Sequence, residues 1–251
     1  MEVKITIDRG NTALKGALWD ADGHIICAMR GDDTLPAGDL ARELCARAGA
    51  VAEALAVAYC SVVVSDRADD LTSLSPLCSR LVDLDASTPM PLQIRYNTPR
   101  TLGADRIAAA LGAISLVGTQ RPLLVSDIGT AVTYDYVAPG GIYEGGNIAP
   151  GIDLRLRALA AFTDTLPAVS PDGGPIPQWG KTTAEAMRSG ALRGVAAELA
   201  CYHSAAGDDA LSVLTGGSAP LLIDSNIITF DYIHDPCLVH KGLYSIITNE
   251  K

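Results

Sequence analysis

Apolar and polar positions alternate over residues 3–7, break at Asp8 through Thr12, alternate again over residues 14–19, and do so a third time around residues 25–29. Alternation with period two marks strands with one buried face, and the polar interruptions at Asn11-Thr12 and Asp22-Gly23 predict tight turns. The chain therefore opens as an antiparallel meander. Over residues 39–56 the period changes, with alanine and leucine recurring three and four apart, which predicts a helix. Residues 57–64 read as a buried strand, further strands are expected at 81–84 and 92–96, and a helix is expected over 103–116.

The second half repeats this plan. A strand is expected at 123–126, a turn, strands at 132–137 and 142–144, then a helix from about residue 152. A longer helix is expected over 183–204, followed by a strand ending at Leu214, the turn Thr215-Gly216-Gly217, a strand at 227–230 and a last helix from about Leu238. A meander followed by alternating helix and strand, met in both halves, predicts an α/β chain with one mixed sheet per half. The boundary is expected at 118–121, giving domains 1–118 and 119–251. Residues 163–180, with four prolines and three glycines, read as a loop.

Composition narrows the ligands. The chain has 251 residues, of which 48% are hydrophobic, with only two Phe and two Trp, so its core is mainly aliphatic. Its net charge of -10 and pI near 4.7 oppose binding to nucleic acid or an anionic membrane. An anionic ligand such as ATP must then be held by a metal ion, backbone amides or a few placed cations. No stretch approaches the roughly 18 uninterrupted apolar residues of a membrane span, and the first residues lack a signal-peptide pattern. A soluble, cytoplasmic protein is expected. The six cysteines form no CxxC pair and show no zinc-site spacing, so they read as reduced and mostly buried thiols.

Twice, a strand ends in aspartate, any residue, glycine and a small polar turn: Asp8-Arg9-Gly10-Asn11-Thr12 and, about half a chain length later, Asp127-Ile128-Gly129-Thr130-Ala131. Successive amides in such a turn, with a Lys such as Lys15 on the next strand, suit phosphate oxygens. Asp8 can approach a phosphate only through a hydrated Mg²⁺, which uses one or two carboxylates. A plain hairpin is the competing reading of the first turn, and a structural aspartate capping the turn is that of the second. Asp127 follows an apolar strand, where a carboxylate is costly unless it is paired or holds a cation. Asp105 falls in the first turn of a helix, where acidic residues are favoured by the dipole alone, but where a rigidly held carboxylate can also accept a proton from a substrate hydroxyl. Arg106 beside it offers a fork for a small carboxylate. The glycines at 145–151 and 216–217 permit close backbone approach to a ligand or to another strand. Gly190 and Gly194 suit tight helix packing, within the chain or across a dimer. Gly180-Lys181-Thr182 imitates a P-loop, but the glycine spacing is wrong and no strand precedes it. The four histidines show no partner pattern for a histidine-led site.

Two Asp-Gly turns half a chain apart and a late Thr-Gly-Gly resemble the superfamily of actin, sugar kinases and heat-shock chaperones. The segments DRGNTALK (8–15), TLGADR (101–106), DIGTAVTYD (127–135), GGNIAPG (145–151) and GKTTAEAMRSGALRG (180–194), with the closing DPCLVHKGL, resemble type III pantothenate kinases over nearly the whole chain. That resemblance implies two duplicated actin-like, or ribonuclease H-like, domains with mixed central sheets and a nucleotide cleft between them. It implies ATP-dependent phosphorylation of pantothenate to 4'-phosphopantothenate, the first step of coenzyme A biosynthesis. By the same resemblance Asp8, Arg9, Gly10, Asn11, Thr12, Ala13, Leu14 and Lys15 bind ATP together with Thr130. Asp127 holds a monovalent cation, potassium or ammonium, and Mg²⁺ accompanies ATP. Asp105 is the general base, with Tyr96, Gly103, Ala104, Arg106 and Thr183 around pantothenate, and a homodimer is expected, across whose interface Thr183 can be supplied. Arg9 departs from the small or aliphatic residue usual at its position. Pointing toward the phosphates it would alter nucleotide affinity, and pointing away it would replace an apolar contact. Another small-molecule hydroxyl kinase and a weakly hydrolysing nucleotide-binding regulator are the competing functions.

Overall fold

The opening alternation becomes three antiparallel strands, β1 (Lys4–Arg9), β2 (Leu14–Trp19) and β3 (Ile25–Gly31). In the computed structural model, which describes residues 3–248, they form one edge of a sheet ordered β3-β2-β1-β4-β5. β4 (Leu55–Ser61) and β5 (Cys78–Asp83) run parallel to β1. Parallel strands need a helical crossover. Helix α1 (Ala37–Arg47) supplies the first, and α2 (Val64–Leu74) joins β4 to β5. Ile5, Ile7, Leu14 and Leu18 pack against Leu40 and Leu44 of α1 as the core of this half. A two-residue strand, β6 (Gln93–Ile94), precedes α3 (Ala104–Val117).

The second half has the same topology. Strands β7 (Leu123–Asp127), β8 (Ala131–Ala138) and β9 (Ile142–Pro150) form an antiparallel meander, and β10 (Leu211–Thr215) and β11 (Tyr232–His234) run parallel to β7. These five strands are ordered β9-β8-β7-β10-β11, as the first sheet is β3-β2-β1-β4-β5. Helices α4 (Ile152–Phe162), α5 (Thr183–Ala206) and α6 (Ala219–Asp224) complete it, with Leu156, Leu192, Val195, Leu199 and Leu222 packed on Leu124, Val132 and Tyr134. Each half is thus an actin-like α/β domain with a mixed central sheet.

The chain divides into two compact units, Met1–Gly118 with Cys237–Lys251, and Thr119–Pro236. This corrects the expected second domain of 119–251, because the closing helix α7 (Leu238–Thr248) returns to the first unit. There it packs on α3, β1 and β4. The contact requires two glycines: a Cβ on Gly112 would strike the Leu238 carbonyl, and one on Gly242 would strike the Ala108 carbonyl. The helix backbones cross too closely for any side chain.

Other differences have local causes. The helix expected to reach residue 56 ends at Arg47, and Gly49 follows with a φ of 67°. The strand expected over 57–64 stops at Ser61, whose hydroxyl accepts from the Val63 amide at 3.0 Å and turns the chain into α2. No helix was expected there, because Val62, Val63 and Val64 read as strand. Residues 145–150 lie beyond the strand expected at 142–144, yet they continue β9 past a bulge at Glu144, opposite Tyr136 and Val137. Residues 227–230 are not a strand. Ile227, Ile228 and Phe230 pack on the core, and β11 forms later. Among the described residues no helix is long and apolar enough to cross a membrane.

Candidate active site

The first Asp-Gly turn sits at the end of β1. Register pairs Asp8 with Lys15 on β2 and with Cys60 on β4. Asp8 is only 6% exposed, Lys15 Nζ lies 3.5 Å from its carboxylate, and the Cys60 thiol donates to it at 3.5 Å. The turn itself closes with the Gly10 amide on the Ala13 carbonyl at 3.0 Å, leaving Asn11 and Thr12 exposed. Ala13 and Leu14 are buried, so their side chains belong to the core and only their backbone can face a ligand.

Of the two orientations expected for Arg9, its side chain takes the one away from Asp8, and there it forms an ion pair rather than replacing an apolar contact. Successive strand residues face opposite sides of a sheet, so Arg9 points away from Asp8. Its Nε and Nη2 fork onto the two oxygens of Asp70, the Nη2 bond being 2.6 Å. Nη1 and Nη2 also donate to the Asp33 and Leu35 carbonyls, each at 2.8 Å. Burial works against its charge, but hydrogen bonding and the charge of Asp70 outweigh that and raise its pKa. The side chain is 3% exposed, and four of its five N–H groups donate within the protein.

Asp105 stands in the first turn of α3, after Gly103 as the helix cap and Ala104. Its Oδ1 accepts the Arg106 amide at 2.8 Å. A Cβ on Gly103 would lie 2.5 Å from that oxygen, so glycine is what lets the carboxylate fold over the helix start. Arg106 is buried. Helix α3 packs on β4, and the buried Cys60 thiol of β4 has its pKa pushed well up by burial first and then by the charges of Asp8 and Asp105. The two acids therefore share one neighbourhood of the first unit. Tyr96, half-buried, lies between β6 and α3. A cavity of about 580 Å³ opens beside this region, lined by Ser61, Val62, Arg67, Arg100, Leu102 and Ala104 among others.

Behind Asp8, on the same face of β1, Thr6 accepts from Trp19 Nε1 at 2.9 Å and lies 3.0 Å from His240 Nδ1. His240 comes from α7 and is buried. Burial drives its pKa down to about 4, with Asp8 opposing and Lys15 adding to the fall. It is a neutral imidazole next to the acid.

The second unit carries the other motif. Asp127 ends β7, and the turn to β8 places Gly129 and the exposed Thr130 beyond it. Two glycine segments brace this turn. Gly151 donates to the Thr130 carbonyl at 2.9 Å, and a Cβ on it would strike the Gly129 and Thr130 carbonyls. Gly216, with a φ of 98°, lies under Asp127 and Ile128, where a Cβ would strike both the Asp127 Oδ1 and the Ile128 carbonyl. The Ile128 amide donates to Thr215 at 2.9 Å and its carbonyl accepts from Ser218 at 2.9 Å. Gly151 and Gly216 thus serve the backbone of the acidic turn. Thr183 is exposed as the first residue of α5, beside the Thr182 cap, so the P-loop imitation is a helix start.

Asp70, Cys60 and His240 were missed by sequence reasoning. Asp70 lies in a polar run with no period, and Cys60 reads as one more apolar residue of β4. His240 lies in the closing segment, whose return to β1 only the glycines at 112 and 242 could have signalled.

The type III pantothenate kinase family model matches residues 4–204. A type III pantothenate kinase of Phocaeicola vulgatus is 34% identical, covering 99% of this chain and 100% of the relative. One of Porphyromonas gingivalis is 41% identical over 75% of this chain and 78% of the relative. Among solved structures, the activator of 2-hydroxyisocaproyl-CoA dehydratase from Clostridium difficile, with ADPNP bound, superposes with a TM-score of 0.60 at 14% identity. It covers 97% of this chain and 94% of its own, a likeness of fold.

Proposed function

The chain belongs to the type III pantothenate kinase family, and from that premise we propose how its residues divide the transfer of the γ-phosphoryl group of ATP to the hydroxyl of pantothenate. The observation that carries the proposal is the packing of α3, whose first turn holds Asp105, on β4, whose Cys60 donates to Asp8. One acid lies on a turn suited to phosphates, the other at a helix start suited to an alcohol.

Asp105 accepts the hydroxyl proton as the nucleophile forms. Phosphoryl transfer relies on positioning and charge neutralisation more than on a strong base, so an aspartate held by a backbone amide suffices. Residues 8–15 hold phosphate oxygens through the turn amides and Lys15, and Thr130 is a further contact to ATP. Gly103, Ala104, Arg106 and Tyr96 surround pantothenate, with Arg106 directed at its carboxylate. Asp8 is a single carboxylate beside a lysine, which fits Mg²⁺ that keeps its waters and binds mostly phosphate; the ion supplies charge neutralisation on the phosphates. Asp127 is the carboxylate that would hold the monovalent cation, potassium or ammonium, since such an ion takes oxygen donors.

A homodimer is supported by a second feature. Phe162 (88% exposed), Leu154 and Leu159 of α4 line an apolar cavity of about 510 Å³ with Met187 and Gly190 of α5. A side chain at Gly190 would meet no other atom of the described residues, so this face has room for a second copy. Thr183, on the same helix, would then contact pantothenate across the interface. Because ATP is supplied in the cytoplasm, the reaction belongs there.

An ADP-release assay over a panel of hydroxyl compounds, with and without potassium, tests the reading. Turnover with pantothenate that needs the cation is expected. Phosphorylation of a sugar with pantothenate inert would reject it.

A further inference from the structure

The buried pair behind the first turn has no role in the chemistry above. We infer that Arg9 and Asp70 form a positioning device that sets the direction in which the phosphate-binding turn leaves the sheet. The inference rests on reading residues 8–15 as the nucleotide-phosphate segment.

Placement is the first argument. Arg9 is the last residue of β1, between Asp8 and Gly10, so whatever fixes its side chain fixes the exit of the strand. Asp70 accepts, besides the guanidinium, the Tyr59 hydroxyl at 2.8 Å and the Ala37 amide at 2.9 Å. Tyr59 immediately precedes Cys60, the residue bonded to Asp8 on the opposite face. The network therefore grips β1 and β4 next to the two residues that meet in the site, and anchors both to the start of α1 and to α2. The Asp33 and Leu35 carbonyls tie in the segment after β3. Asp66, half-exposed, lies 3.9 Å from Nη1 and adds a second acid.

The second argument is energetic. A buried ion pair is a poor means of gaining stability, since well-packed apolar residues of similar volume commonly do as well or better. What a forked guanidinium offers that an apolar pair lacks is a fixed orientation, set here by four hydrogen bonds. Misplacing a reacting group by about 1 Å can cost a factor of about a hundred in rate.

The test compares wild type with Arg9→Met/Asp70→Leu, in which no lone charge stays buried, and with Arg9→Lys, which keeps the charge and loses the fork. Thermal melts establish folding, and KM for ATP and for pantothenate are measured separately. We expect the folded double variant to raise KM for ATP about tenfold or more, with KM for pantothenate within about twofold, and Arg9→Lys to fall between. A merely structural pair would lower the folded fraction, hence apparent kcat, and move neither KM. An unchanged KM for ATP in the folded double variant, or in Arg9→Lys should the double variant not fold, overturns the inference. If wild type itself does not phosphorylate pantothenate, it is the proposed function that fails.

Discussion

The two acidic turns stand at equivalent places in two sheets of the same topology, yet they are held by different means. The first is held by side chains: Asp70, itself held by the Tyr59 hydroxyl, grips Arg9 on one face of β1, and Cys60, Thr6 and His240 gather on the other. The second is held by backbone, with Gly151 and Gly216 brought so close to the turn that no side chain fits. Duplication conserves the path of the chain and leaves its support free to diverge. Side-chain support carries charge and can titrate or be tuned. Backbone support is rigid and vulnerable to a single added carbon.

The sharpest break of the comparison is chemical. If the first unit holds the base and the second a cation, Asp105→Asn should lower kcat by about 10² to 10⁴ while nucleotide binding, followed by fluorescence titration, stays nearly intact. Asp127→Asn should instead raise the potassium concentration needed for half-maximal rate. An Asp105→Asn enzyme of unchanged kcat removes that residue from the chemistry. Next in size, Gly216→Val forces a branched side chain to a φ of 98° and into the Asp127 carboxylate. A loss of about 3 to 5 kcal/mol is expected in denaturant titration. A loss under about 1 kcal/mol would show that the second turn yields more readily than its glycines imply.

How far the two supports were legible before the structure follows from their physics. Both Asp-Gly turns, the strands that end in them and the long α5 could be read directly, because period and turn chemistry are local signals. The glycines at 151 and 216 advertised close approach, though not what approached. The side-chain support of the first turn was opaque. Asp70 reaches Arg9 across 61 positions and His240 reaches Thr6 across 234, and neither leaves a periodic trace. The return of α7 to the first unit was hidden for the same reason, since a closing helix in chain order reads as part of the half it follows.

Acid should separate the units. His240 has a folded pKa of about 4 against an ordinary 6.5, so between those values the unfolded chain binds a proton that the folded one refuses. Its contribution is fully present above about pH 6.5 and is lost as pH falls toward 4, by roughly 3 kcal/mol in all. Hydrogen exchange along that range should show α7 and β1 losing protection first, and His240→Gln should flatten the decline. Equal loss in both units, unchanged by the substitution, would mean that His240 does not govern it.

The smallest expected effect asks whether side-chain support matters anywhere in the second unit. Thr182 and Glu185 form a reciprocal cap at the start of α5: the Glu185 amide donates to the Thr182 hydroxyl at 3.2 Å, and the Glu185 carboxylate accepts from Thr182 at 3.2 Å and from Lys181 at 2.8 Å. Thr182→Ala removes one arm of it, at about 1 kcal/mol in a denaturant titration, and Thr182→Ser should restore most of that. Because Thr183 is the next residue, a modest rise in KM for pantothenate should accompany the loss and be rescued with it. A cost as large as that of Gly216→Val would break the contrast, since a surface hydroxyl would then support the second unit as strongly as its packed backbone does.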